Sequence, residues 1–157
     1  MSPMVRVCLS FLASYGAGAV GFFFVDSQVA GWYGGLAKPM LTPPPMVFGI
    51  VWFVLYALMA YALTIIWNID PQTPSSEAWV RFYFLQLLLN AAWTMFFFGF
   101  HSLILSFIDI LVLVFIVSGL VINAWEMNCR QAAYYMLPYF LWILFAAYLT
   151  LGIWILN

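Results

Sequence analysis

The sequence predicts an all-α integral membrane protein, a single domain over residues 1–157 built as a bundle of five transmembrane helices. Its residues are 68% hydrophobic and 6% charged, against roughly 45–50% and about 25% in a soluble globular domain. A chain this short cannot hide so much apolar surface from water, so its solvent is lipid. Charge-free runs cover 7–25, 39–69, 82–108, 110–125 and 131–157. A bilayer core about 30 Å thick is crossed by about 20 residues of helix. The alternating segments of about ten residues that mark a transmembrane β-barrel are absent from the sequence.

The first helix is expected over about 5–25. Arg6 and Ala17-Gly18-Ala19 resemble the charged end and cleavage site of a secretory signal. The apolar run continues through Val20-Gly21-Phe22-Phe23-Phe24-Val25 to full spanning length, so the segment is read as a retained helix. Ala13, Ala17 and Gly21, with Ser14 and Gly18 beside them, make a small-residue face for close helix packing. A loop over 26–45 follows. A connection of about 20 residues is uncommon in a compact protein and is usually functional. This one carries Trp32, Tyr33, Lys38 and Pro43-Pro44-Pro45, not the Gly/Ser composition of a flexible tether. It reads as a lid.

The second helix is expected over about 46–68 and the third over about 79–100. Between them Asp70-Pro71-Gln72-Thr73-Pro74-Ser75-Ser76-Glu77 reads as a solvated loop. Ser75 or Ser76 is the expected cap, and Glu77 suits the positive helix end. The stretch 82–125 is too long for one span, and Gly99-Phe100-His101-Ser102 provides the turn into a fourth helix over about 103–125. The fifth, over about 132–156, contains Pro138, which predicts a kink because its ring removes a backbone hydrogen bond.

Arg6, Arg81 and Arg130 fall on one side of the bundle and Lys38 on the other, which places the N-terminus in the cytoplasm. A net charge of −1 without a basic stripe excludes nucleic acid as a partner. Cys8 and Cys129 are isolated and read as small apolar residues at helix ends. No metal-ligand, nucleotide-binding or catalytic-triad motif is present, so neither a metal nor a required cofactor is expected.

Gln86, Asn90, Trp93 and Phe97 recur at spacings of four, three and four, on one face of the third helix. Amides facing lipid are costly, so that face turns inward, either to bond a neighbouring helix or to orient a ligand. Asp109 is the acidic residue deepest in an apolar run, a candidate for a ligand or proton role. With no basic residue in another span, its expected partner is a Trp, Tyr or amide. His101 reads as an interfacial turn residue. Phe48, Trp52 and Tyr56, then Tyr135, Tyr139, Trp142 and Ala146, recur at helical spacing. Trp79, Trp125 and Trp154 lie near span ends and fit an interfacial belt. Trp52 and Trp142 lie deeper. Stacked against the third-helix face they would line a flat apolar cavity with few polar groups, suited to a planar ring system.

These residues carry a resemblance. Trp32-Tyr33-x-x-Leu36-x-Lys38-Pro39-x-x-x-Pro43-Pro44, then Phe48 and Trp52-x-x-Leu55-Tyr56-x-Leu58-Met59, are similar to motifs of the translocator protein family, the tryptophan-rich sensory proteins or peripheral benzodiazepine receptors. Gln86-Leu87-x-x-Asn90-x-x-Trp93-Thr94-x-x-Phe97-Phe98-Gly99, Asp109 and Leu137-Pro138-Tyr139-x-x-Trp142-x-x-Phe145-Ala146-x-Tyr148-Leu149 follow in order. The resemblance implies a five-helix bundle, usually a homodimer. Its first loop covers a cavity for tetrapyrroles such as protoporphyrin IX and haem, for sterols, and for benzodiazepine-type ligands. It implies a pocket of Tyr33 and Pro43 from the lid, and Phe48, Trp52 and Tyr56 from the second helix. Gln86, Asn90, Trp93, Thr94 and Phe97 come from the third, Asp109 and Ile110 from the fourth, Trp142 and Ala146 from the fifth.

The animal members' cholesterol-recognition pattern, a Tyr followed by Lys or Arg, is missing. After Tyr148 the chain runs Leu149-Thr150-Leu151-Gly152-Ile153-Trp154-Ile155-Leu156-Asn157. That favours a porphyrin-linked role in a bacterial cell envelope over an organellar outer membrane. The expected function is porphyrin binding for transport, sensing or regulation. The alternatives are a light- and oxygen-dependent porphyrin-degrading enzyme with Trp52 and Trp142 as electron partners, a sterol or lipid translocator, and a proton-coupled carrier using Asp109. Five spans without an internal repeat argue against the carrier.

Overall fold

Among the described residues six α-helices occur: α1 Pro3–Val25, α2 Trp32–Gly35, α3 Pro45–Trp67, α4 Pro74–Thr94, α5 Leu103–Glu126 and α6 Arg130–Leu156. The computed structural model describes residues 2–25, 31–69 and 73–157, so Asp26–Ala30 of the lid loop and Asp70–Gln72 of the next lie outside the described residues. All helices but α2 are long and apolar enough to cross a membrane, and no strand occurs among the described residues. α2 is a single turn inside the lid.

The helix ends follow from local chemistry. Pro44 precedes α3 in an extended conformation and Pro45 opens it, where the missing N–H costs nothing. α4 begins at Pro74, earlier than expected, because its cap is Thr73 and not Ser75 or Ser76. The Ser76 backbone N–H donates to Thr73 Oγ1 at 3.2 Å, and the Thr73 N–H donates to Ser76 Oγ at 2.9 Å. That reciprocal box satisfies two otherwise orphaned donors. Ser102 caps α5 by accepting from the Leu105 N–H, after His101 turns the chain at φ 53°. Asn128 makes the turn into α6 at φ 58°, a conformation its short polar side chain tolerates. α6 continues through Pro138, whose side is exposed.

α4 does not stop at Thr94 but widens into a π-helical turn over Met95–Gly99. The wider turn lets two consecutive aromatics, Phe97 and Phe98, both face inward.

The long helices close a ring in the order α1, α3, α6, α5, α4 and back to α1. Half of the bundle is solid: Met59, Leu63, Ile66, Tyr83, Val117 and Met136 have essentially no exposure. Trp79 belongs to this core and not to an interfacial belt. It faces α5, stacks on Tyr83 at 5.3 Å, and its indole N–H donates to the Leu120 carbonyl at 2.9 Å. Trp125 and Trp154 do lie exposed near helix ends, with Arg130 over the Trp125 ring. At this end Arg6 donates to the Trp67 carbonyl and to Asn68 Oδ1, pinning the start of α1 to the end of α3.

The small-residue face of α1 is used for close approach. A Cβ on Gly18 would lie 2.5 Å from the Tyr56 ring, and one on Gly21 3.0 Å from Thr94 Oγ1. Between them and the helix start, Ser14 Oγ lies 2.7 Å from Tyr83 Oη.

Candidate functional site

In the other half of the bundle the helices separate around a cavity of about 670 Å³, within the roughly 300–1,000 Å³ of small-molecule sites. α3 supplies Phe48, Trp52 and Tyr56, one helical turn apart on a single face. Asn90, Trp93 and Thr94 come from α4, and Phe97 from the π turn. Ile110 comes from α5, Trp142 and Ala146 from α6, and Tyr33 from the lid. The structure thus brings eleven of the fourteen sequence-predicted residues to one wall.

The other three stand elsewhere. Pro43 does not reach the wall, whereas Pro45 does. Pro45 is the first residue of α3, whereas Pro43 precedes the helix. Gln86 is wholly buried one turn below Asn90, inside the protein and not on the cavity surface. Asp109 is buried too, and the wall position on that turn of α5 belongs to its neighbour Ile110. Asp109 Oδ2 has no hydrogen-bond partner among the described residues, so the expected Trp, Tyr or amide contact to that oxygen is not formed.

Under the cavity floor runs a hydrogen-bonded chain. Tyr56 Oη donates to Asn90 Oδ1 at 2.7 Å, Asn90 Nδ2 donates to Tyr139 Oη at 3.3 Å, and Tyr139 Oη donates to Gln86 Oε1 at 2.8 Å. Gln86 Nε2 ends it, with no partner among the described residues. The two readings of the α4 amides therefore divide: Gln86 bonds a neighbouring helix, while Asn90 does so and also borders the cavity. Trp52 rests on this floor, stacked on Tyr56 at 5.4 Å and edge-on to Tyr139 at 6.1 Å. Tyr139 is fully buried and central, whereas Tyr135, four residues earlier, lies exposed on the outer surface of the bundle against Tyr61.

The wall is almost wholly apolar, and most of its polar hydrogens are already used. Thr94 donates to the Ala91 carbonyl and Thr150 to the Ala146 carbonyl. The indole nitrogens of Trp93 and Trp142 are buried and have no partner among the described residues. No charged side chain lines the cavity among the described residues, and no group of His, Cys, Asp or Glu there is placed to hold a metal. The site offers a ring an apolar, aromatic-walled space.

The lid covers one end of this space. Trp32 stacks on His101 at 4.2 Å and meets Phe97 edge-on, so it anchors the lid to the π turn. Tyr33 packs between Phe97 and Phe98, and burial pushes its phenol above the usual range. Lys38 lies 4.7 Å over the Tyr33 ring and donates to the Leu36 and Gly34 carbonyls. It fixes the shape of the lid from its outer side. α1 also forms wall, through Tyr15, Gly18, Ala19, Gly21, Phe22 and Val25. None of these was singled out from sequence as a site residue. The available signal was the run of small residues, which brings Tyr56 and Thr94 close to α1 at the cavity edge.

A helical membrane protein with an aromatic cavity between its helices, under a folded lid, is the class that fold and site define. The sequence profile of the TspO/MBR family matches residues 9–155. The chain is 34% identical to the tryptophan-rich protein TspO of Archaeoglobus fulgidus over 98% of both chains. It is 34% identical to the human translocator protein over 86% of this chain and 80% of that one. It is also 28% identical to the protein CrtK of Rhodobacter capsulatus over 94% and 89%. The chain belongs to the TspO/MBR family and is a multi-pass integral membrane protein.

Proposed function

We propose that this protein binds a planar, largely apolar tetrapyrrole such as protoporphyrin IX or haem in the cavity, as a step in its transport, sensing or regulation. The observation that carries the reading is that Trp52 of α3 and Trp142 of α6 both line a cavity whose wall is almost wholly apolar. A macrocycle stacks on such rings. A sugar or an ion would leave its polar groups unmatched on this wall. Sterols and benzodiazepine-type molecules share the apolar body and are the competing ligands, and a homodimer is the proposed assembly.

Titrating protoporphyrin IX into the purified protein and following its absorbance band tests the assignment. Trp52→Ala with Trp142→Ala is expected to weaken binding by tenfold or more, about 1.4 kcal/mol at least, without loss of helical circular dichroism. Unchanged affinity removes the cavity as the porphyrin site. Haem and cholesterol titrated alongside rank the ligand classes.

A further inference from the structure

The cavity has a side opening. Of the residues that line it, the exposed ones are Ala19, Phe22, Pro45, Gly49 and Phe53, and all five belong to α1 or α3. Wall residues from α4, the π turn, α5 and α6 are buried or half-buried.

The packing explains why the gap falls there. Towards the Arg6 end, α1 and α3 are clasped: Phe11 meets Tyr61 edge-on at 5.2 Å, Tyr15 packs on Phe53 at 5.4 Å, and Tyr15 Oη donates to the Phe53 carbonyl at 2.8 Å. Beyond Gly18 and Tyr56 the helices part company. α1 leans on α4 and the π turn through Gly21 against Thr94 and Gly99 against Phe24. α3 leans on α6 through Phe48 on Trp142. Meanwhile the lid is seated on α6. The Asn157 side chain donates to the Ala37 carbonyl and accepts from the Ala37 N–H, each at 3.0 Å, and Gly152 packs beneath Pro39.

We propose that ligands reach the cavity sideways, from the hydrocarbon of the bilayer, through the gap between α1 and α3 above the Tyr15–Phe53 clasp. Gly49 is the sill of this portal and sets the width of what passes. A Cβ at Gly49 meets nothing within 4 Å, so the space beside it is open. The residues that flank the gap are apolar and face lipid, which suits a molecule already dissolved in the membrane. This inference rests on the reading of the cavity as a site for planar apolar ligands, and adds the route and its gating residue.

The test uses the full chain in lipid nanodiscs, with protoporphyrin IX delivered from preloaded vesicles. Association and dissociation rates are followed by quenching of tryptophan fluorescence. Gly49→Phe fills the opening at a helix position where losing glycine favours the helix. It is expected to slow association and dissociation together, each by about tenfold or more, so that affinity moves less than either rate. Phe53→Ala widens the gap and is expected to speed both. The inference is overturned if Gly49→Phe leaves both rates within about twofold of the parent. A faster association in a lid variant such as Gly152→Leu would then put the route over the lid. Pyrene, a bilayer-soluble acceptor of tryptophan fluorescence, reads the same rates without a porphyrin. Uptake of pyrene but not protoporphyrin would end the tetrapyrrole reading, and pyrene's rates would decide the portal. Uptake of neither would overturn both.

Discussion

A Gly152→Leu variant is expected to unseat the lid while leaving the helix bundle folded. A Cβ at Gly152 would already lie 2.3 Å from Pro39 Cγ, and a proline ring has no rotamer to yield. The lid must therefore lift, which strains or breaks the paired bonds between Asn157 and Ala37. Those groups are exposed, so the hydrogen bonds themselves contribute only about 0.5–1.5 kcal/mol each. The larger consequence is at the site, because Tyr33 rides on the same segment and forms part of the cavity wall. Its ring would leave the contact with Phe97 and Phe98. Ligand dissociation is expected to accelerate by about tenfold, equal to about 1.4 kcal/mol of lost contact, with association little changed because the portal lies between α1 and α3. Limited proteolysis should cut within 31–44 in the variant and not in the parent. Parental dissociation and cleavage rates would show that the seat on α6 does not hold the lid.

The parts of this architecture legible in the sequence are those that repeat. Spanning-length apolar runs define the five long helices, and the spacing of Gln86, Asn90, Trp93 and Phe97 identifies the inward face of α4 because polar side chains there have nowhere else to go. The lid is legible from its composition. Where the periodic signal is interrupted, the reading falters. The π turn shifts the phase of α4, so Phe98 joins Phe97 inside although a regular helix would turn it by about 100°. Tyr135 and Tyr139 carry the same spacing signal, and only the position of α3 makes one an outer-surface residue and the other the centre of a polar network. Trp79 lies near a helix end, yet its neighbour is α5 and not lipid. The contribution of α1 to the cavity was hidden for a different reason. A wall made of Gly18, Ala19 and Gly21 has no chemistry to notice, and Gly18 and Gly21 act by letting Tyr56 and Thr94 pack close against α1.

The second large effect is expected from the hydrogen-bonded chain beneath the cavity. Asn90→Leu removes the acceptor for Tyr56 Oη and the donor to Tyr139 Oη. Tyr139→Phe removes the donor to Gln86 Oε1, and since Gln86 Nε2 already lacks a partner, a fully buried amide is left unpaired at both ends. An orphaned buried polar group costs about 1–3 kcal/mol. Interhelical hydrogen bonds in membrane proteins average only about 0.6 kcal/mol, because the unfolded chain in lipid finds other partners. Burial decides between the two figures here. Gln86 and Tyr139 have no exposure and sit inside the ring of helices, away from lipid and from the cavity. Each single variant is therefore expected to lose about 1–3 kcal/mol in thermal or detergent unfolding. The double variant should lose less than the sum, since the Asn90–Tyr139 bond is broken only once and coupled groups deviate from additivity by about 0.5–3 kcal/mol. Strict additivity would mean that the chain does not act as a unit. Ligand affinity should follow stability in this series, because Trp52 stacks on Tyr56 and abuts Tyr139. If Trp52 loses its floor, the ring that receives the ligand loses its orientation. The polar network then serves binding without touching the ligand at Gln86 or Tyr139, and the two roles first assigned to the α4 amides, bonding helices and orienting a ligand, become a single role.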